Sequence, residues 1–362
     1  MLDTTRWKIP SNKDILDASK KKFYEKREIQ PEVQDEESNP YTEKGSFYYS
    51  RPIIEENGYQ IFVSAFNWDN LFVEFSAPKV MYGTNIFMLY PDKIVDVLQK
   101  VKHILEQFYE ITLPDPFLWI LQRLDICYAW KLLSNLECKC IITNLSSYEY
   151  PRKKEILIDD ESLTYWGNTY KLKFYQKQPE FKAHDFKDIR KIDPNFAYKL
   201  HEFSEGIFRT EVTMHKKKIQ QVFGEKDSNY TRIRDNNIIE GLLKQSLSEL
   251  VKTTNYESMD MIEVFNRLQS VYDKKKAINL FQFANTWYCA DKTQEKQNRI
   301  ILEDNLTLST VKKRLDLLRK ADIGIINTLK DFKFDLKIPS NLAVNSPDTD
   351  VLELLQNLRN TL

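Results

Sequence analysis

Four short segments of the chain alternate apolar residues with charged or nucleophilic ones, a pattern typical of β-strands that are buried on one face only. The polar positions of these segments are Glu74; Arg123, Asp125 and Cys127; Lys171, Lys173, Tyr175 and Lys177; and Arg209, Glu211, Thr213 and His215. Carboxylates on separate strands supply the oxygen ligands that Mg²⁺ or Mn²⁺ prefers. An activated tyrosine can act as a covalent nucleophile. If the four strands pair in one sheet, its polar face therefore collects the groups for metal-assisted nucleophilic chemistry.

The solvated side of an ordinary antiparallel sheet would show the same pattern, and this simpler interpretation stays open. Asp125 is the strongest argument against it, because aspartate is poor in strand interiors and here lies in the apolar run LWILQRLDICYAW. His215 shares the strand face of Glu211 and is open to a metal or acid–base role. His103 and His201 lie in or near predicted helices and are more simply structural or solvated. No H-x-H, H-E-x-x-H or G-x-S-x-G motif occurs.

Composition excludes several classes of protein. The chain has only 8 glycines in 362 residues, and the closest two, Gly45 and Gly58, are 13 positions apart, so a dinucleotide-binding G-x-G-x-x-G motif and a P-loop are impossible. Lys plus Arg and Asp plus Glu both number 53, so any DNA binding must use local basic patches. Four cysteines without a C-x-x-C pair do not make a structural zinc site. The lack of an apolar leader or a long apolar run predicts a cytoplasmic protein without a membrane role.

The chemistry-bearing strands belong to a predicted α+β fold. Residues 1–45 are polar and charge-rich and are predicted to form a loose N-terminal arm with one strand near Trp7. Residues 46–224 are predicted to form an antiparallel sheet with flanking helices, including a hairpin turn at Asn57–Gly58 and an amphipathic helix from Pro91 to Tyr109. Residues 225–362 are predicted to form a mainly helical DNA-binding or accessory domain. Its predicted helices are Asn237–Val251, Ser258–Tyr272, Lys274–Trp287 and Ser309–Ala321.

Four blocks of this sequence resemble one family. The blocks, in chain order, are LFVEFSAPKVMYGTNIF, QRLDICYAW, TYWGNTYKLKFYQKQPEF and GIFRTEVTMHKKKIQQVFG. Together they resemble the filamentous-phage gene II replication protein and its relatives, which are rolling-circle initiators of phages and plasmids. The resemblance covers roughly residues 70–224, and the C-terminal third matches only loosely. It implies that the sheet domain is a DNA-nicking nuclease.

The resemblance also implies roles for individual residues. Tyr175 matches the family tyrosine that attacks the DNA phosphodiester, and Lys177 takes the place of the lysine two residues beyond it. Asp125 and Glu211 match acidic positions that look like metal ligands, and Glu74 matches a further acidic position. The implied cofactor is Mg²⁺ or Mn²⁺.

Two departures from the family pattern and two alternative tyrosines bear on these roles. Thr210 stands where an aromatic or aliphatic residue is common, and His215 is added, but neither departure removes a needed chemical group. Tyr170 is five residues before Tyr175 and so lies on the opposite strand face if the strand extends that far. Tyr165 is predicted to lie in a turn or in the core.

A tyrosine nucleophile agrees with the rest of the sequence. A phenol with an ordinary pKa near 10 is a weak nucleophile at neutral pH and needs help. A divalent cation on carboxylates can polarise the scissile phosphate, and Lys173 and Lys177 can favour the phenolate. Because one ester is exchanged for another, the DNA strand can be rejoined without ATP. This agrees with a chain that has no phosphate-binding loop.

Basic residues cluster near the tyrosine despite the zero net charge. The predicted DNA contacts there are Lys171, Lys173, Lys216, Lys217 and Lys218, although a solvated lysine run is the alternative. A segment containing Lys312, Lys313 and Arg314 looks like the second half of a helix-turn-helix motif. A solvated basic helix explains that segment equally well.

The sequence as a whole predicts a rolling-circle replication initiator that nicks its origin through Tyr175. In this prediction the 5′ end stays on the protein and the 3′-OH primes synthesis. The expected partners are single-stranded or supercoiled origin DNA and the host helicase and polymerase. Two alternatives stay open: a non-catalytic DNA-binding regulator on the same scaffold, and a mobilisation relaxase, against which the missing paired-histidine motif argues.

Overall fold

The computed structural model of the chain contains two compact units. The larger unit comprises residues 1–142, 149–246 and 338–362, and the smaller comprises residues 143–148 and 247–337. Within them the structure describes residues 1–29, 45–54, 59–132, 134–146, 150, 153–158, 161–167, 170–224, 229–254, 261–289, 306–321, 323 and 343–360.

One antiparallel sheet organises the larger unit. Its strands are β1 (Leu2–Ile9), β2 (Phe23–Ile29), β3 (Gly45–Ser50), β4 (Ile53–Ile54), β5 (Gln60–Phe66), β6 (Asn70–Ser76), β7 (Ile120–Lys131), β8 (Lys154–Ile158), β9 (Ser162–Trp166), β10 (Tyr170–Gln176) and β11 (Ile207–His215). Their order across the sheet is β2-β3-β5-β6-β1-β7-β11-β10-β9-β8, and β4 pairs with β5.

Helices flank this sheet and dominate the C-terminal region. They are α1 (Lys13–Lys20), α2 (Ala77–Tyr82), α3 (Ile94–Tyr109), α4 (Asn135–Leu145), α5 (Lys177–His184), α6 (Phe186–Ile192), α7 (Pro194–Phe203), α8 (Lys216–Phe223), α9 (Tyr230–Ile233), α10 (Asn236–Thr254), α11 (Met261–Val271), α12 (Lys274–Cys289), α13 (Leu308–Lys320) and α14 (Val351–Asn360). Two short 3₁₀ helices span Pro91–Lys93 and Pro116–Leu118. The α+β prediction is confirmed.

Alternation along the central strands separates a core face from a polar face. Leu172 on β10, Val212 on β11 and Ile126 on β7 are in register and wholly buried. Burying each such side chain contributes about 1.5–3 kcal/mol. A slip of one residue would turn these side chains to the other face, so their burial fixes the register. The same register fixes which polar groups meet on the opposite face.

The amphipathic helix predicted from Pro91 to Tyr109 is present as a 3₁₀ turn followed by α3. Its buried side chains recur every three or four residues, as in Val97, Val101 and Leu105. Glu110 ends the helix in the left-handed conformation, with φ of 57°. The predicted turn at Asn57–Gly58 lies outside the described residues.

The N-terminal segment differs from the predicted arm. Strand β1 lies inside the sheet between β6 and β7. Its Arg6 is opposite Glu74 on one side and Arg123 on the other, while Leu2 and Trp7 are wholly buried. The alternation in LDTTRWKI explains the strand. The predicted strand near Trp7 is therefore present, but it is a central strand of the sheet and not part of a loose arm.

The C-terminal region has helices close to all four predicted positions. In the smaller unit, α11, α12 and α13 share an apolar cluster that includes Val264, Leu268, Leu280, Phe283, Val311 and Leu318. The segment between α12 and α13 lies outside the described residues, so the helix-turn-helix motif stays a prediction. Residues 343–360 belong instead to the larger unit. There the Asn345 side-chain amide accepts a hydrogen bond from the backbone N–H of Met88 and donates one to the Met88 carbonyl oxygen. The contacts thus divide the chain differently from the predicted boundary at residue 224.

Candidate active site

The register of the central strands brings the predicted polar groups onto one face. Lys173 of β10 is directly opposite Glu211 of β11, and Tyr175 lies two residues along on the same face. The register of β11 with β7 puts Asp125 on this face, and β1 and β6 extend it to Glu74. The four polar strand faces recognised in the sequence therefore form one surface.

Tyr175 lies at the end of β10 and is only 3% exposed. Its Oη donates a hydrogen bond to Glu211 Oε2 at 3.4 Å, and Lys173 Nζ lies 4.5 Å from the ring centroid. Burial raises the pKa of Tyr175 well above its ordinary value of 10.0, against the opposing charge of Arg209. The phenol is therefore protonated in the resting protein, and attack on a phosphate requires a proton acceptor.

Two carboxylates meet next to this tyrosine. Burial, together with the charges of Asp125 and Asp3, raises the pKa of Glu211 to about 7. Burial also raises the pKa of Asp125, which is 1% exposed, although Arg123 opposes the rise. A cation between the two carboxylates would relieve their mutual repulsion. Asp125 and Glu211 therefore have the donor chemistry that suits Mg²⁺ or Mn²⁺.

Arg123 separates Glu74 from these two carboxylates. Its Nε and Nη2 donate to Asp125 at 3.0 and 2.6 Å, and its Nη1 donates to Glu74 at 3.0 Å. In the described part of the chain, no group of three or more His, Cys, Asp or Glu side chains could hold a metal ion. Asp125 and Glu74 would both have to give up contacts with Arg123 to act as ligands. The metal role of all three carboxylates stays a prediction.

Lys177 does not lie on the strand, contrary to the sequence-based prediction. β10 ends one residue earlier, and Lys177 begins α5. Pro179 explains the change, because a residue without an N–H suits the first turn of a helix. Lys177 Nζ is buried, donates to Asn85 Oδ1 at 2.8 Å, pairs with Glu180 and lies 5.9 Å from the Tyr175 ring centroid. Its charge is balanced by Glu180, and a catalytic role for it stays a prediction.

Arg209 and Asp3 form a buried ion pair beside the tyrosine. Arg209 is wholly buried and opposite Tyr175, and its Nη2 lies 2.6 Å from Asp3 Oδ2. Burial would raise the pKa of Asp3, but Arg209 and Lys177 outweigh it and hold that pKa below its usual value. The strand pattern put Arg209 on this face without a role. Asp3 was missed because its segment had been assigned to the arm.

We expect Asp3→Asn to destabilise the fold by about 3–5 kcal/mol, since it leaves the Arg209 guanidinium buried without its counter-charge. Denaturant unfolding followed by circular dichroism measures the effect. Asp17→Asn is the control, because Asp17 pairs with Lys20 at the surface and its loss should leave the midpoint unchanged. An unfolding midpoint of Asp3→Asn equal to that of the wild type would contradict the buried pair.

His215 ends β11 directly opposite Arg123. Burial and the charges of Arg123 and Lys171 lower its pKa to about 4. The imidazole is therefore neutral at neutral pH and keeps a ring nitrogen that can accept a hydrogen bond or bind a cation. The metal or acid–base role considered for His215 stays a prediction.

The two alternative tyrosines lie on the other side of the sheet from Tyr175. Tyr170 begins β10 opposite Met214, on the face that carries Leu172. Tyr165 is wholly buried in β9 and is opposite Leu172. The position of Tyr170 agrees with the strand parity, and the burial of Tyr165 agrees with the second of its two predicted locations, a turn or the core.

The predicted DNA contacts near Tyr175 lie on two elements. Lys171 and Lys173 share its strand face, and Lys171 Nζ lies 4.8 Å from the Trp166 ring centroid. Residues 216–218, all lysine, form the first turn of α8. Lys218 Nζ lies 5.7 Å from the ring centroid of Tyr170, which is on the other side of the sheet from Tyr175. In the smaller unit, Lys313 is exposed on α13. Arg314 lies there with its guanidinium 5.3 Å from the Phe283 ring centroid, and the Lys312 side chain lies outside the described residues.

We expect the combined change of Lys216, Lys217 and Lys218 to Ala to weaken DNA binding and to flatten its salt dependence. Each lost phosphate contact should change the slope of log K against log salt by about 0.7–0.9. The matched control replaces Lys20, Lys21 and Lys22, an exposed run of equal charge around the end of α1. Fluorescence anisotropy over a salt series measures both variants. Equal slopes in the two variants would identify the α8 lysines as merely solvated.

Comparison with known proteins agrees with the resemblance seen in the sequence. The family model that describes the N-terminal part of the gene II-type replication-associated protein matches residues 1–233, which include β1 through β11. A search of curated proteins found no match. None of the helices described is long and apolar enough to cross a membrane. The chain belongs to the gene II-type family of replication-associated proteins, which act as initiators of rolling-circle replication at origin DNA.

Proposed function

We propose that this initiator nicks one strand of its origin with Tyr175 as the nucleophile. The observation that carries the proposal is the hydrogen bond from Tyr175 Oη to Glu211 on a buried polar face. A protonated phenol that donates a hydrogen bond to a carboxylate can pass its proton to that carboxylate as the phenolate forms. Lys173 and Arg209 flank the same ring and can stabilise the phenolate that forms.

The proposed reaction exchanges one phosphodiester for another. Tyr175 Oη bonds to phosphorus and gives its proton to Glu211, while the bond from phosphorus to the 3′ oxygen breaks. The 3′ oxygen takes up a proton from water and becomes a free 3′-OH, which can prime synthesis. The 5′ phosphate stays on the protein as a tyrosyl ester. Attack by a 3′-OH on this ester reverses the step and rejoins the strand without ATP.

Asp125 and Glu211 are the proposed ligands of Mg²⁺ or Mn²⁺. When bound, the cation would neutralise charge on the scissile phosphate as the transition state forms. Glu211 accepts the hydrogen bond that orients Tyr175 Oη, and Asp125 contributes a second carboxylate held in place by Arg123. The host helicase and polymerase follow from the proposed role, since a nicked origin must be unwound and copied.

Formation of a covalent adduct tests the proposal. The full chain is incubated with single-stranded oligonucleotides that tile its origin, in Mg²⁺ or Mn²⁺, and the products are separated on a denaturing gel. A label on the 5′ side of the nick should remain on a free strand, whereas a label on the 3′ side should move with the protein. Tight DNA binding without any adduct would favour the non-catalytic regulator instead.

A further inference from the structure

A cleft of about 650 Å³ opens beside the candidate active site, within the larger unit. Its lining includes the strand residues Phe62, Glu74 and Arg123. It also includes Lys79 from α2 and Asp185 from the junction between α5 and α6. This volume is in the range of about 300–1,000 Å³ that is typical of small-molecule sites. The cleft is large enough for a planar organic group.

Two chains of side-chain contacts connect the cleft to the candidate active site. Ser76 lines the cleft and donates to Asp3 at 3.0 Å, and Asp3 pairs with Arg209 opposite Tyr175. Separately, Arg123 lines the cleft and donates to Asp125. Because Glu74 and Arg123 belong to the polar face that carries Tyr175, the cleft borders that face.

Phe62 is the unusual residue in this cleft. It is a phenylalanine that leaves half of its surface exposed on the polar face, directly opposite Glu74. Exposed aromatic rings next to nucleic-acid sites serve as platforms on which unpaired bases stack. Its ring gives the cleft an apolar surface among charged neighbours.

The charges of the cleft suit a base better than a phosphate. Glu74, Asp185 and Asp188 line it and would repel a phosphate. Its lysine and arginine are already paired, Lys79 with Asp185 and Arg123 with Glu74 and Asp125. The Asp185 side chain is nine-tenths buried, and its Oδ2 has no hydrogen-bond partner among the described residues. An uncharged base brings N–H donors that carboxylates accept.

We propose that this cleft binds one unpaired base of the DNA strand next to the cleaved phosphodiester, with the base stacked on Phe62 and its N–H edge directed to Asp185. The inference rests on the proposed nicking function and deepens it. A base must leave the duplex stack before it can enter a pocket. The preferred substrate is therefore DNA that is already unpaired at the nick, as single-stranded or supercoiled origin DNA is.

Affinity for single-stranded DNA tests the stacking contact without cleavage. The Tyr175→Phe chain is the background, and the probe is the tightest binder among oligonucleotides that tile the origin. Phe62→Ala should weaken binding about 5- to 150-fold, which corresponds to one base–aromatic stack, and Phe62→Trp should retain it. Phe117→Ala is the matched control, because Phe117 is equally exposed but lies outside the cleft, and it should change affinity less than about 2-fold.

An abasic scan of the same oligonucleotide identifies the stacked base. One abasic position should weaken binding when Phe62 is present and have little effect in Phe62→Ala, while other positions affect both proteins equally. The same abasic profile in both proteins, or unchanged affinity of Phe62→Ala, would overturn the inference. If either of these results were found while the wild type still formed the covalent adduct normally, the nicking function would stand and only the base-binding inference would fail. A Phe62-dependent position in a protein that never forms an adduct would contradict the nicking function alone.

Discussion

Tyr175→Phe is expected to reduce formation of the covalent protein–DNA adduct on the order of 10³-fold or more while leaving DNA affinity near normal. The change removes one oxygen, which is the proposed nucleophile, and nothing in the pocket replaces it. The ring stays in its buried position beneath Lys173. Because the lost hydrogen bond to Glu211 is long, at 3.4 Å, the free energy of unfolding should change by about 1 kcal/mol or less.

Tyr170→Phe is the matched control for this variant. Tyr170 lies on the same strand but faces away from Glu211, so its loss should leave the adduct unchanged. Trypsin digestion of the wild-type adduct should release the DNA on the short peptide between Lys173 and Lys177. A nucleotide attached instead to Tyr170 or Tyr165 would refute the residue assignment and spare the mechanism. If no adduct forms with either metal, both are refuted.

Strand alternation was enough to predict the common polar face. The period of two decides which side chains share a face, and burial of positions such as Leu172 and Val212 then fixes the register. For this reason Tyr175 and Lys173 could be assigned to one strand face from the sequence, and Glu211 to the same surface on condition that the two strands pair, as they do. The long helix α3 and the C-terminal helices were likewise visible in the spacing of their apolar residues.

The partners of these groups could not be predicted, because they come from distant parts of the chain. Asp3 reaches Arg209 only because β1 inserts between β6 and β7, and no local pattern specifies that insertion. Arg123 and Asp125 are both on β7, but the contact of Arg123 with Glu74 on β6 depends on the insertion of β1 between these two strands. The alternation of polar and apolar residues also predicted that Lys177 belongs to the strand, whereas Pro179 favours a helix that begins at Lys177, directly after β10. The burial of Tyr175 follows from this packing.

The burial of the site implies a conflict between stability and activity. Carboxylates gathered out of water raise the pKa of Glu211 to about 7, so the folded protein holds a proton there that the unfolded chain releases near its ordinary pKa of 4.5. Stability contributed by this proton is present below pH 4.5 and is lost as pH rises through about 7. At pH 8 the site is therefore strained by its own charge, and binding of a cation is the natural way to relieve that strain.

Glu211→Gln and Asp125→Asn are expected to abolish cleavage, and Glu211→Gln should at the same time raise the melting temperature at pH 8 in EDTA. The amide keeps the size of Glu211 and removes the buried charge that destabilises the fold at that pH. Glu202→Gln, an exposed acid on α7, is the control and should change neither cleavage nor melting temperature.

The metal role has a readout that does not depend on activity. Without DNA, Mg²⁺ or Mn²⁺ should raise the melting temperature of the wild type at pH 8. At a free metal concentration of 100 times the dissociation constant, binding should add about 2.7 kcal/mol to the free energy of unfolding. The same titration should have little effect on the double variant that combines Glu211→Gln with Asp125→Asn, because both carboxylate ligands of the cation are then gone. Full cleavage by the wild type in EDTA, or an equal metal-dependent shift in the double variant, would eliminate Asp125 and Glu211 as a metal site. Loss of cleavage in Glu211→Gln would then rest on proton transfer from Tyr175 alone.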